Sequence, residues 1–236
     1  MVVDVLERVA REYHVAIEEP FASHPLSFFI RHSACEEIRG ALGPLAREFH
    51  IEGSPGRGNW ATVPWLAVFD PIVTTSAERG YYVVYLFHVA KPLVYLSLAQ
   101  GTTAVRREFG RQTRPVLRRR AEMMRLRLPE FGAEFKTRSI DLGANSILPR
   151  DYEAGHVLGC TYDLNNAPTE ATAIHDLQRL VHAYLRLTFR GGFEPSIEAA
   201  DDDDHILLSE SRKVIERRRY RLHRRIERSE FRGHNT

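Results

Sequence analysis

The stretch EGSPGRGNWATVPWLAVFD, residues 52–70, gathers side chains with much to offer a ligand. Gly53, Pro55, Gly56 and Gly58 stand directly before Asn59, and the chain's two tryptophans, Trp60 and Trp65, follow. Such a segment can be no more than a turn. It can also bring bare backbone, the Arg57 guanidinium and an indole against a flat ligand, because glycine has no Cβ to hold the backbone at a distance. It lacks the Gly-Lys-Ser/Thr ending of a phosphate-binding P-loop and precedes a strand rather than a helix. A nucleoside triphosphate site is therefore a poor match.

Catalytic signatures are missing elsewhere too. The sequence contains no H-x-E with C-x-x-C, no H-E-x-x-H and no G-x-S-x-G, and its histidines are scattered. His223, His234 and Asn235 have the residue types of a nuclease triad, but no strand–strand–helix metal scaffold surrounds them. The run Asp201–Asp204 lacks the alternating spacing that places carboxylates around one cation, and reads as a solvated loop. No catalytic residue, metal site or cofactor is expected, and the chain reads as a binding domain rather than an enzyme.

Aromatic residues are plentiful: Trp60, Trp65, Tyr81, Tyr82, Tyr85, Tyr95, Tyr152 and Tyr162 spread over the glycine loop, the strands and the LPRDYEAGH turn. Most belong in a core, where strand aromatics usually lie. The exceptions are set by context. An arginine-bearing glycine loop, an indole opening a strand and a tyrosine in a proline-led turn can wall a slot for a planar ring.

The net charge of +2 hides an uneven distribution. Arginines crowd into residues 106–127 and 212–228, and such clusters attract a polyanion. Equally, arginine is a good helix former that often just solvates a helix face. The 236 residues suit one or two domains, and 43% hydrophobic with 27% charged residues is ordinary globular composition. No apolar run reaches the roughly 20 residues of a membrane helix, and the amphipathic N-terminus is no signal peptide. Two cysteines, Cys35 and Cys160, make neither a metal quartet nor a disulfide framework, so a reducing cytoplasm is expected.

The elements that must position these residues follow from periodicity. Residues 2–17 read as a helix ended by Pro20 and Pro25, and a second helix runs from a Ser33 cap, with Glu36 completing a capping box. Strands are expected at 63–70, 81–89 and 92–100, joined by short polar links into an antiparallel meander. The second of these is apolar throughout and should be central. Residues 102–128 read as a helix interrupted near Gly110 and Pro115, and 134–143 and 156–164 as two further strands. Residues 169–189, capped by Thr169 and ended by Gly191-Gly192, form the clearest helix. The expected fold is α+β: a mainly antiparallel twisted sheet with flanking helices, plus a basic C-terminal helix at about 209–229. Residues 1–193 would be one domain, and 194–236 an acidic loop and basic linker leading to a domain beyond.

The order GSPGRGNWATVPWLAVFD, GYYVVYLF, VYLSLAQG resembles the N-terminal domain of McrB, the DNA-binding subunit of a methylation-dependent restriction system, and related McrB-like domains. The likeness is strong over 52–101 and returns faintly at LPRDYEAG. It implies binding of duplex DNA carrying 5-methylcytosine, with the modified base flipped into a pocket. Carried over by position, it implies Trp65 as one wall, Leu86 at the methyl and Tyr152 as a further wall, with Asn59 and Trp60 nearby. Arg57 stands where the family example carries a tyrosine; it can stack, fill the hole left in the duplex or contact phosphate. Gly56, Gly58, Arg106, Arg107, Arg118, Arg119 and Arg120 are the expected DNA-backbone contacts. Residues 211–230 are similar to the linker that joins such domains to an HNH nuclease. A methyl in an apolar niche adds about 1 kcal/mol, so discrimination against cytosine should be modest unless the niche is tight. Two other readings stay open. One is a modification-independent nucleic-acid or protein-interaction domain whose aromatics are all core and which has no pocket beside the 53–60 loop. The other is a self-sufficient nuclease.

Overall fold

A computed structural model describes residues 1–193; the expected acidic run, basic helix and second unit lie outside the described residues. Five strands, β1 (His50–Ser54), β2 (Trp65–Phe69), β3 (Tyr81–Phe87), β4 (Leu93–Gln100) and β5 (His156–Asp163), form one sheet in sequential order. All four pairings are antiparallel; short links join β1 to β4 in turn, and β5 returns to the edge of β4 after three intervening helices. The uninterrupted apolar run of β3 is buried at every position and takes the middle of the sheet. Seven α-helices surround it among the described residues: α1 (Val2–Ala16), α2 (Pro25–Arg31), α3 (Ser33–Leu42), α4 (Thr102–Phe109), α5 (Thr113–Leu126), α6 (Ile147–Gly155) and α7 (Glu170–Phe189). This is the α+β architecture expected.

Residues directly opposite each other in an antiparallel ladder share a face, so the register sorts the side chains. Leu66, Tyr85, Leu96 and Cys160 form one cross-strand row. That face meets α7, whose Asp176 accepts a 2.9 Å hydrogen bond from Tyr162. The long helix also holds the N-terminus. The Glu170 carboxylate accepts from the Val2 and Val3 N–H groups at 2.7 and 2.9 Å, satisfying donors that the first turn of α1 leaves open. The other face, carrying Trp65, Leu86 and Tyr95 in one row, receives α6 against β4. Behind it α4, α5 and α6 close a small cluster of Val105, Leu117 and Ala154.

Several local expectations need correction. Residues 134–143 are not a strand: they make one isolated bridge, Thr137 to Gly159, on the edge of β5. Phe135, Ile140 and Leu142 bury as a loop packed on the sheet, without a ladder partner beyond that bridge. Ser33 is not a cap. It lies inside α3, because α2 runs into α3 through a kink at His32, and Glu36 turns to Arg39 instead. Pro115 does not interrupt its helix; it sits in the first turn of α5, where the missing N–H costs nothing, and Gly110 makes the break. Pro25 likewise opens α2. The LPRDYEAG segment is a helix, α6, rather than a turn. Thr169 does cap α7 by accepting from Thr172, and Gly191 and Gly192 close it on the Thr188 and Leu187 carbonyls.

Strand β1 was not foreseen, and Gly53 explains why. This glycine is in the strand, not the turn: a Cβ there would stand 2.0 Å from the Ile30 carbonyl oxygen, so only glycine lets α2 lie so close. A residue that reads as a turn-former is a packing contact.

Candidate nucleic-acid interface

The segment from Pro55 to Pro64 arches from β1 to β2. The Ala61 N–H donates to the Pro55 carbonyl at 2.7 Å and closes its neck. Beneath it the Tyr13 hydroxyl of α1 lies 2.8 Å from both the Pro55 and Ala61 carbonyls and shares its proton between them. From the side, Arg31 of α2 donates to the Gly56 carbonyl at 2.6 Å. Gly56 holds φ +127°, and a Cβ there would fall 2.0 Å from the Asn59 carbonyl oxygen, so the crossing of the neck requires glycine. The result is a tied arch whose tip, Arg57, Gly58 and Asn59, is exposed.

Trp60 belongs to the support of this arch. Its indole meets Tyr13, Phe21 and His24 edge-on at 5.3, 5.0 and 5.0 Å, and its N–H donates to the Glu19 carbonyl at 2.9 Å. It pins the α1–α2 connection to the arch. Trp65, at the arch's other foot, opens β2 and stays half-buried. Its register partners are Ser54 and Leu86, and Leu86 in turn pairs with Tyr95. The indole and the isobutyl group thus stand on adjacent strands and on one face, beside Phe69, whose ring lies edge-on to Trp65 at 6.4 Å. Tyr152 comes to this face from α6, partly buried and packed on the core. Burial pushes its phenol up to about 12, so it is a neutral hydrogen-bonding group at working pH.

An open cleft of about 960 Å³ lies on the α2 side of the arch, lined among others by Phe21, His24, Phe28, Arg31, His32 and Arg57. Trp65, Leu86 and Tyr152 do not line it. The loop therefore has two different flanks: the Trp65–Leu86 row and this basic, aromatic cleft.

The arginine-rich region divides by function. The buried carboxylate of Asp151, on α6, receives Arg106 of α4 at 2.5 Å and Arg114 of α5 at 3.0 Å. Two charges that the sequence offered equally to a polyanion thus clamp three helices together. The ion pair raises the Arg106 pKa still further. Arg107 faces Glu78 at 3.3 Å on the surface. Arg120 lies over Phe193 at 4.4 Å and Phe109 at 5.5 Å. Arg118 and Arg119 project from α5 into solvent with no ion-pair partner among the described residues. Helix α5, which carries these arginines, packs on β5, and β5 lies three strands from β2, roughly 14 Å across the sheet at about 4.8 Å per strand.

Residues 8–188 match the family described as MrcB-like, N-terminal domain. The chain belongs to that family. Among curated proteins, none matches it. Membership in the MrcB-like family is consistent with a non-catalytic, DNA-binding role in a restriction system. Among the described residues no helix is long and apolar enough to cross a membrane.

Tyr13, Arg31 and Asp151 shape this surface, yet nothing local marks them. Tyr13 reads as one more apolar position of α1, and Arg31 and Asp151 as surface charges. Their partners are 42, 25 and 45 residues away.

Proposed function

We propose that this MrcB-like domain is a non-catalytic reader of 5-methylcytosine in duplex DNA, acting by base flipping. The observation that carries the reading is the Trp65–Leu86 pair at the foot of an exposed, pre-tied glycine arch, a half-buried indole in register with an aliphatic group buried beside it. Flipping costs a few kcal/mol, and stacking with hydrogen bonds to the base edge offsets it. Trp65 supplies the stacking face, Leu86 the apolar contact for the methyl and Tyr152 the far wall. Asn59 enters the duplex from the arch tip and Arg57 contacts phosphate beside it, with the Gly56 and Gly58 backbone close to the DNA. An arch already held by Tyr13, Arg31 and its own neck loses little entropy on binding. Arg118, Arg119, Arg107 and Arg120 contribute phosphate attraction that is blind to methylation. In the parent protein the reader delivers an HNH nuclease to modified DNA in the cytoplasm.

The test is the affinity for methylated against unmethylated duplex at one salt concentration. Equal affinities refute the reading. Trp65→Ala should abolish the methyl preference, whereas Arg118→Ala with Arg119→Ala should weaken both duplexes alike and flatten the salt dependence. A methyl preference that survives Trp65→Ala removes that indole from the pocket.

A further inference from the structure

The cleft between α2 and the arch is unused by the reading above, and its chemistry is specific. Phe28 is a large apolar side chain left 63% exposed. Its ring sits 4.3 Å from that of His32, tilted by 40°, so His32 backs one side of Phe28 and leaves the other side as a stacking platform. Arg57, without an ion-pair partner among the described residues, stands across from it on the arch. Arg31 adds its charge at the cleft floor, held over Phe21 at 5.6 Å. Among the described residues the carboxylate that ion-pairs with a cleft-lining side chain is Glu19, which meets His24 at 3.0 Å. The rim is also strained: Ser23 holds φ +60°, a conformation uncommon outside glycine that persists where surrounding contacts enforce it.

An exposed Phe28 ring beside the Arg57 guanidinium, with no acid among the residues lining the cleft, matches one ligand class, a nucleobase with its phosphate. An acidic peptide would satisfy the arginine but leave the platform bare. An apolar partner would cover Phe28 but bury Arg57 without a counter-charge, which is costly. We propose that the cleft is a second nucleotide subsite. A base of the DNA strand flanking the flipped position leaves the stack and lies on the open face of Phe28, with His32 behind that ring, and its phosphate pairs with Arg57. This rests on the reading of the chain as a duplex-DNA binder, but not on recognition of the methyl. It makes the arch a divider: one flank takes the modified base, the other a neighbouring nucleotide, and Arg57 stands between them.

The 236-residue chain bound to a methylated duplex carries the test. 5-Iodouracil is placed in turn at positions flanking the methylcytosine, irradiated, and the cross-linked residue mapped by mass spectrometry. A cross-link at Phe28 or His32 from at least one flanking position is expected. Phe28→Ala should lose it and bind both methylated and unmethylated duplex about tenfold more weakly, with their ratio unchanged. Because Phe28 is exposed, its melting temperature should match that of the parent chain. If Phe28→Ala binds like the parent, or cross-links map only outside the cleft while methyl preference is intact, the subsite is wrong and the reader function stands. If the parent shows no methyl preference but cross-links at Phe28, the reader function fails and the cleft remains a strand-binding site.

Discussion

Replacing Tyr13 by Phe removes one oxygen atom and tests whether the arch is held from below. The hydroxyl is 2.8 Å from the Pro55 and Ala61 carbonyls, and burial of the ring keeps it protonated, hence a donor, throughout the working pH range. Phenylalanine fills the same volume and keeps the edge contact with Trp60, so no cavity term enters. What is lost is one hydrogen bond shared by two acceptors. The Pro55 carbonyl retains the Ala61 N–H, while the Ala61 carbonyl loses the phenol. A net hydrogen bond is worth about 1 kcal/mol, and leaving a carbonyl short in a partly buried place raises this to about 1–2 kcal/mol. For a chain of this size that is a fall in melting temperature of roughly 2–8 °C. Thermal unfolding followed by circular dichroism measures it. Binding should fall as well, because a looser arch must be ordered on the DNA. Kd for methylated duplex should rise roughly three- to tenfold, with a larger share of the change in the association rate than a lost direct contact would give. A Tyr13→Phe chain that melts and binds like the parent would refute the claim that this hydroxyl fixes the arch. One that melts lower but binds unchanged would show that the arch is stabilised by Tyr13 yet not used in recognition.

Two further perturbations address the scaffold. Asp151→Asn should cost about 2 kcal/mol in urea unfolding: breaking a buried pair costs about 3–5, and solvent around the partly exposed arginines reduces that. Restoring the loss with a carboxylate, through Asp151→Glu, should succeed only in part. The second perturbation is pH. Burial lowers the pKa of His156 from 6.5 to about 4, and its ring is neutral, with Nε2–H donating to the Thr137 carbonyl and Nδ1 accepting from Ser97. The unfolded chain takes up this proton first, so stability is full above about pH 6.5 and falls by about 3 kcal/mol as pH drops toward 4. Proton NMR of the His156 ring should show no titration down to about pH 5; a midpoint near 6.5 would contradict the buried neutral state.

The meander was legible because its signals are local. Tyr81 to Phe87 is apolar at every position, which excludes a half-solvated edge strand and places β3 in the middle. Thr169, the apolar stripe and Gly191-Gly192 bracket α7 completely. Errors came where one residue type serves two ends. Gly53 looks the same in a strand pressed against α2 as in a turn, and Pro115 the same in a first turn as in a break. The buried apolar residues Phe135, Ile140 and Leu142 cannot say whether a neighbouring strand is there to pair with.

By itself the sequence determined the sheet-forming segments, the aromatic supply and the family likeness, because hydrophobic period and turn chemistry act over a few residues. It also put Trp65 at a strand start, from which its alignment with Leu86 follows once the register is known. Only the tertiary structure separated Trp60, sunk among Tyr13, Phe21 and His24, from Trp65. Only it removed Arg106 and Arg114 from the pool of free charge and opened a cleft beside Arg57. The reason is range. An arginine carries the same charge wherever it stands, and whether that charge meets solvent or a buried carboxylate depends on a partner 45 residues away for Arg106.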